Sequence, residues 1–257
     1  VDIGENVANF KLGERVSYVM ALGSYSTHRN IATEKIVKLP ENIKDDEAAA
    51  IMLKGMTVEY LLERLFKVNK NHTVLFHAIA GGVGLIACQW LKYLGARVIG
   101  TVGSSEKEAL ARKYGCDEVI LYKSENFVEK VKELTNGEGV EVVYDGVGKD
   151  TAIKGLDCLK PLGTMVVFGN SSGNCPPIDP GLLASKGSLF FTRPTLMTYG
   201  TKRQDLDLSS SRVFDMLSNS KVSLTINSSY NLSDVVNAHK ELEARKTTGS
   251  IVMKNDY

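Results

Sequence analysis

Apolar and polar positions change rhythm along this chain. Before about residue 50 the apolar stretches are short and broken by turn residues. Arg15-Val16-Ser17-Tyr18-Val19 reads as a strand and residues 24–31 as a second. Lys38-Leu39-Pro40 closes that stretch, because proline disfavours helix at the residue before it. Asp45-Asp46-Glu47 ahead of the apolar residues 48–53, with a helical period over 58–66, predicts a helix with an acidic first turn.

From about residue 70 strands and helices alternate. Residues 72–80 form a mostly apolar run, as expected of a strand buried on both faces. A glycine-rich turn follows at 81–84, then a helix over 85–94 that stops at Gly95. Further strands are predicted at 97–102, 118–121, 140–144, 164–168 and 188–192. Helices are predicted at 106–114, with Gly115 as C-cap, and at 127–134 and 151–159. This alternation with short connections predicts an α/β fold with a doubly wound parallel sheet. Beyond residue 200, helices are expected over 212–217 and 233–244. A last strand, 249–253, is placed to return to the strands at the start of the chain and build a split second domain.

The length, 257 residues, fits two modest domains or one large one. With 31 basic against 30 acidic side chains, nothing favours a nucleic-acid partner. No apolar run reaches the ~18–20 residues of a membrane span. Four cysteines without a CxxC pair suggest a reducing, cytoplasmic compartment and no zinc ribbon. The chain opens on Val1 and runs straight into an element already under way, so a longer protein with more in front of Val1 is expected.

The chemistry centres on Ala78-Ile79-Ala80-Gly81-Gly82-Val83-Gly84, an AxxGxxG variant of the dinucleotide fingerprint lying between a strand and a helix. Gly81 and Gly82 allow close approach of backbone to a pyrophosphate, and Gly84 allows the helix to pack on the sheet. The helix N-terminus offers N–H groups to the phosphates. An NAD site carries an acidic residue at the end of the second strand. Here that end reads Thr101-Val102-Gly103-Ser104-Ser105-Glu106-Lys107, with hydroxyls and a lysine suited to a 2′-phosphate, which predicts NADPH. Glu106 is expected to point away. The loops at Tyr144-Asp145-Gly146-Val147-Gly148, Gly169-Asn170-Ser171-Ser172-Gly173 and Thr192-Arg193-Pro194 fall at the same sheet edge. No histidine lies at metal spacing, so no zinc is expected. His77 is read as a satisfied core histidine, Cys88 as core, and Asp145 as a loop-orienting residue.

These stretches, together with Leu53-Lys54-Gly55-Met56-Thr57-Val58 and Ile86-Ala87-Cys88-Gln89-Trp90, resemble the bacterial NADPH:quinone oxidoreductases. These form the zinc-free, zeta-crystallin-like branch of the medium-chain dehydrogenase/reductases. The resemblance implies a Rossmann domain (55–195) and a partial GroES-like β domain (1–54 and 196–257), with a cleft between them. It implies a homodimer joined along the strand edge from Gly187 to Thr192. Carried over by position, Tyr60, Gly82 and Val83 lie near the cofactor. Gly103, Ser104, Ser105, Lys107 and Tyr122 hold the adenosine 2′-phosphate region. Val147, Gly169, Asn170, Ser171 and Ser172, with Thr192, Arg193 and Pro194, line the nicotinamide side. Arg245 matches a cofactor-contacting arginine.

Family members carry roughly 70 further N-terminal residues, which hold part of the substrate site. The implied activity is metal-free hydride transfer from NADPH to a quinone, with no side chain assigned as catalytic. The alternatives are an enal or enone reductase on the same fold, or a non-catalytic NADPH-binding remnant.

Overall fold

The computed structural model describes residues 1–244 and 248–255, so Arg245 lies outside the described residues. The chain forms two compact units, Val1–Tyr60 with Leu196–Tyr257, and Leu61–Thr195.

The first unit begins with strands β1 (Val16–Tyr18) and β2 (Ile36–Lys38), paired antiparallel. Residues 24–31 are bends without a ladder, against the strand expected there. Loop carbonyls in this region bond a side chain instead. The Arg29 guanidinium donates to Leu22 O at 2.7 Å and to Ala21 O at 3.3 Å, and sits over the Tyr18 ring. Helix α1 (Asp45–Glu59) starts with the Lys44 N–H donating to the Glu47 carboxylate at 2.9 Å. It buries Ala48, Ile51, Met52 and Met56 on one side. It then loosens into a π-helical turn, Tyr60–Leu65.

The second unit is the alternating one. Its strands are β3 (Thr73–Phe76), β4 (Arg97–Val102), β5 (Glu118–Leu121), β6 (Val140–Asp145), β7 (Leu159–Val167) and β8 (Phe190–Thr192). Its helices are α2 (Gly82–Tyr93), α3 (Ser105–Lys113), α4 (Phe127–Leu134), α5 (Ala152–Gly155) and α6 (Pro180–Ser185). The six strands run parallel in the order β5-β4-β3-β6-β7-β8. The first strand therefore lies mid-sheet, and the connections go one way from it and then the other. Ligands of such sheets bind at the carboxyl ends of the strands where the direction reverses, here between β3 and β6. Both sheet faces are covered, which is why Val74, Leu75, Phe76, Val142, Val143 and Tyr144 are all buried. The helix expected over 151–159 stops at Gly155. A 3₁₀ turn, Leu156–Cys158, then feeds β7, which starts five residues earlier than the apolar pattern suggests.

The chain returns to the first unit through α7 (Leu196–Gly200), α8 (Arg203–Ser218), β9 (Ile226–Asn231), α9 (Val235–Glu243) and β10 (Ser250–Lys254). Gly55 lets α8 lie close on α1, since a Cβ there would sit 2.8 Å from Val213 Cγ1. Strand β10 does not pair with the strands at the start of the chain; it runs parallel to β9. The polar sequence Asn-Ser-Ser-Tyr-Asn of β9 carries almost no apolar alternation, so its register partner was hidden.

Candidate nucleotide-binding site

The turn between β3 and α2 is built on close backbone approach. Ala78 takes a left-handed φ of +55°, a conformation that costs a non-glycine residue of order 1 kcal/mol or more. It is held there by neighbours. His77 N donates to Tyr144 O at 2.9 Å, Ala78 N to Thr101 Oγ1 at 3.3 Å, and Ile79 N to Thr101 O at 3.2 Å. Gly81 N closes the turn onto Ala78 O at 2.9 Å. A Cβ on Gly84 would lie 2.4 Å from Ile79 O and 2.5 Å from Ala78 O, so only glycine fits. On the sheet side, a Cβ on Gly100 would collide with Ile79 Cγ2 at 2.4 Å. Gly81, the N-cap of α2, has no side chain to accept from the first-turn N–H groups. A helix leaves those donors without internal acceptors and adds a positive dipole end, so this N-terminus at Gly82 and Val83 can hold a pyrophosphate.

The second corner lies at the end of β4. Ser104 is the N-cap of α3 and accepts from Lys107 N at 3.4 Å. Gly103 lies against Tyr122, as a Cβ there would be 2.8 Å from the phenol oxygen. Ser105 is exposed, and the Lys107 ammonium has no ion pair among the described residues. Glu106 is exposed, and the Ser104 hydroxyl and its own N–H hold its carboxyl below the usual carboxylate range. At the second position of a helix, a short path leads back to the N-cap and to the positive end of the dipole.

The remaining loops are laced together by Asp145, which ends β6 and is fully buried. Its Oδ1 accepts from Val147 N at 2.6 Å and Gly148 N at 3.0 Å, and its Oδ2 from Thr151 Oγ1 at 2.7 Å. The β6 and β7 loops then bond each other. Ser171 N donates to Gly146 O, and Ser172 donates to Val147 O through both its N–H and its hydroxyl at 2.9 Å. A Cβ on Gly169 would lie 2.5 Å from Gly146 O. Beside these loops a cavity of about 390 Å³ is lined by Gly169, Asn170, Cys175, Phe191 and Arg193. Asn170 Nδ2 bonds Asn174 Oδ1 at 3.0 Å, and Arg193 Nη1 bonds Pro194 O at 2.8 Å. Thr192 is the last residue of β8.

Gly82, Val83, Gly103, Ser104, Ser105, Lys107, Tyr122, Val147, residues 169–172 and 192–194 therefore all lie in the second unit, at or beyond the carboxyl ends of its strands. Tyr60 belongs to the first unit, where it is buried and stacks on Tyr199 at 4.5 Å and 13°. Sequence reasoning missed Thr101, the hydroxyl that pins the strained turn. Its only signal is a polar residue inside the apolar run of β4.

A family profile described as zinc-binding dehydrogenase matches residues 82–211. A quinone oxidoreductase of Pseudomonas aeruginosa is 46% identical over 252 residues, covering 98% of this chain and 78% of that protein. The chain belongs to the quinone oxidoreductase family. The crystal structure of Escherichia coli quinone oxidoreductase complexed with NADPH superposes with a TM-score of 0.94 at 46% identity, over 98% of this chain and 78% of that one. A 2-haloacrylate reductase from Burkholderia is 42% identical over 98% of this chain and 77% of its own length.

Among the described residues of this quinone oxidoreductase family member, no group of three or more His, Cys, Asp or Glu is placed to hold a metal ion. No helix is long and apolar enough to cross a membrane, again among the described residues. His77 departs from a fully satisfied core residue. Its Nδ1 bonds Thr101 Oγ1 at 3.0 Å, but its Nε2 is buried without a hydrogen-bond partner. Burial pushes the imidazole pKa down, opposed by the nearby Asp145 charge. The folded state thus keeps His77 neutral where the unfolded chain protonates. Stability is expected to be full above the unfolded pKa of about 6.5, and to fall by up to about 1.4 kcal/mol per pH unit below it. Urea denaturation at pH 7.5 and 5.5 checks this, with His77→Gln expected to flatten the difference.

Proposed function

We propose that this chain is an NADPH-dependent quinone reductase working without a metal. The observation that carries the reading is the glycine turn into α2, where a Cβ on Gly84 would strike the carbonyls of Ile79 and Ala78, standing at the same sheet edge as the Lys107 ammonium and the Ser104 and Ser105 hydroxyls. When bound, NADPH supplies the hydride that reduces the quinone, and the protein supplies position and electrostatics. Gly82 and Val83 receive the pyrophosphate at the helix N-terminus. Ser104, Ser105, Lys107 and Tyr122 take the 2′-phosphate beside Gly103. Charge-assisted bonds of about 1.5–3 kcal/mol each then favour NADPH over NADH by roughly ten- to a thousandfold. Val147, Gly169, Asn170, Ser171 and Ser172, with Thr192, Arg193 and Pro194, fix the nicotinamide end. The cofactor domain is 55–195, and residues 1–54 with 196–257 form a partial GroES-like substrate domain. No side chain acts as nucleophile, and the enzyme works in the cytoplasm.

Progress curves with NADPH and a panel of quinones and enones test the reaction class. Turnover of quinones is expected, and turnover of enones alone contradicts the reading. We also propose a homodimer along β8, the outer strand of the sheet, where Phe190 is 61% exposed at an unpaired strand edge. Light scattering is expected to give twice the chain mass, and the Phe190→Lys variant the single mass. A wild-type chain that stays single at micromolar concentration contradicts it.

A further inference from the structure

We infer that Thr101 positions the pyrophosphate site from the neighbouring strand, by holding Ala78 in a left-handed backbone conformation that a glycine would adopt unaided. The inference rests on the proposed cofactor site and adds a positioning residue to it. Ala78 opens the turn between β3 and α2 at φ +55°. A Cβ makes that conformation unfavourable, whereas glycine populates it freely. Ala78 is exposed, so no burial of its methyl group offsets the strain. The offset comes from β4. The Thr101 hydroxyl accepts from Ala78 N at 3.3 Å and bonds His77 Nδ1 at 3.0 Å. Thr101 and His77 are both buried. With the ring on one side and the backbone N–H on the other, the hydroxyl is fixed in direction rather than free to rotate.

The hold on Ala78 reaches α2 through a carbonyl. Ala78 O accepts at 2.9 Å from the N–H of Gly81, the N-cap of α2. The same oxygen would lie 2.5 Å from a Cβ on Gly84, in the first turn of that helix. A change in the Ala78 backbone swings this oxygen and shifts the start of α2. The N–H groups at Gly82 and Val83, which receive the pyrophosphate, move with it. The corner at Ser104 and Lys107 belongs to α3 and does not lean on that carbonyl. A lost Thr101 hydroxyl is therefore felt at the pyrophosphate and not at the 2′-phosphate. Glycine at position 78 needs no hold, so the hydroxyl matters only while alanine stands there.

Isothermal titration of the 257-residue chain with NADPH and with 2′-AMP, which carries the 2′-phosphate but no pyrophosphate, tests this. Thr101→Val removes the hydroxyl and keeps the backbone bond from Ile79 N to Thr101 O at 3.2 Å. It is expected to weaken NADPH by about tenfold, the equivalent of one hydrogen bond, and to leave 2′-AMP within about twofold. Thr101→Ser restores the hydroxyl and is expected to bind NADPH within about threefold of the wild type. In a chain that already carries Ala78→Gly, Thr101→Val is expected to cost NADPH less than about threefold. Thr101→Ala carries the same expectations and replaces the valine variant if that one does not fold. A loss that is equal with and without Ala78→Gly, that extends equally to 2′-AMP, or that is absent, overturns the role of Thr101. A wild type that does not bind NADPH overturns the cofactor site itself, and this inference with it.

Discussion

Replacing Gly84 with alanine is expected to destabilise the protein by about 2–4 kcal/mol, at the upper end of overpacking effects, and to weaken NADPH binding at least tenfold. The added Cβ would lie 2.4 and 2.5 Å from the carbonyl oxygens of Ile79 and Ala78. Those atoms are backbone and cannot rotate aside. The turn they belong to is already strained at Ala78 and pressed against β4 through Gly100, so it has no slack on the sheet side. The remaining escape is to move the start of α2 outward. That shift carries the first-turn N–H groups away from the pyrophosphate, so stability and cofactor affinity fall together. Urea denaturation and nicotinamide fluorescence report the two effects separately. A variant that loses stability while binding NADPH as well as the wild type would place the pyrophosphate elsewhere.

Asp145→Ala is the second large effect, expected at about 3–5 kcal/mol of stability, because one buried and two part-buried donors lose a charged acceptor worth roughly 1–3 kcal/mol each. Val147 N, Gly148 N and the Thr151 hydroxyl all point at this carboxylate. The loops they belong to bond residues 171 and 172 in turn. Loosening one therefore loosens both, and NADPH affinity is expected to fall by about tenfold, the equivalent of one good hydrogen bond. Asp145→Asn is expected to cost far less. Its amide oxygen still accepts from the two N–H groups, and the Thr151 hydroxyl can turn to accept from the amide nitrogen. Chemical denaturation of both variants decides this. Equal losses for Ala and Asn would mean that the charge, not the hydrogen-bond pattern, holds the loops.

Much of the second unit was legible in the sequence for a physical reason. A parallel sheet covered on both faces needs continuous apolar strands, and Val74-Leu75-Phe76 or Val142-Val143-Tyr144 announce themselves. Glycine at 81, 82 and 84 between such a strand and a helix has few other uses. The first unit was harder to read. Strand β9 is polar on most positions, and residues 24–31 satisfy backbone groups through Arg29 rather than a ladder. The start of β7 was hidden because Lys160, Pro161 and Gly163 break its apolar run. At the candidate site, residue types were readable but directions were not. The orphaned Nε2 of His77 was likewise invisible, since it depends on what packs around the ring.

The most direct measurement is a fluorescence titration of the chain with NADPH and NADH, using Trp90 and the nicotinamide as signals, for the wild type and Lys107→Ala. NADPH is expected to bind at least about tenfold more tightly than NADH, the equivalent of a single charge-assisted bond, and Lys107→Ala is expected to erase most of that difference by weakening NADPH alone. Equal affinities in the wild type, or no binding of either nucleotide, would contradict the assignment of the second unit as an NADPH site.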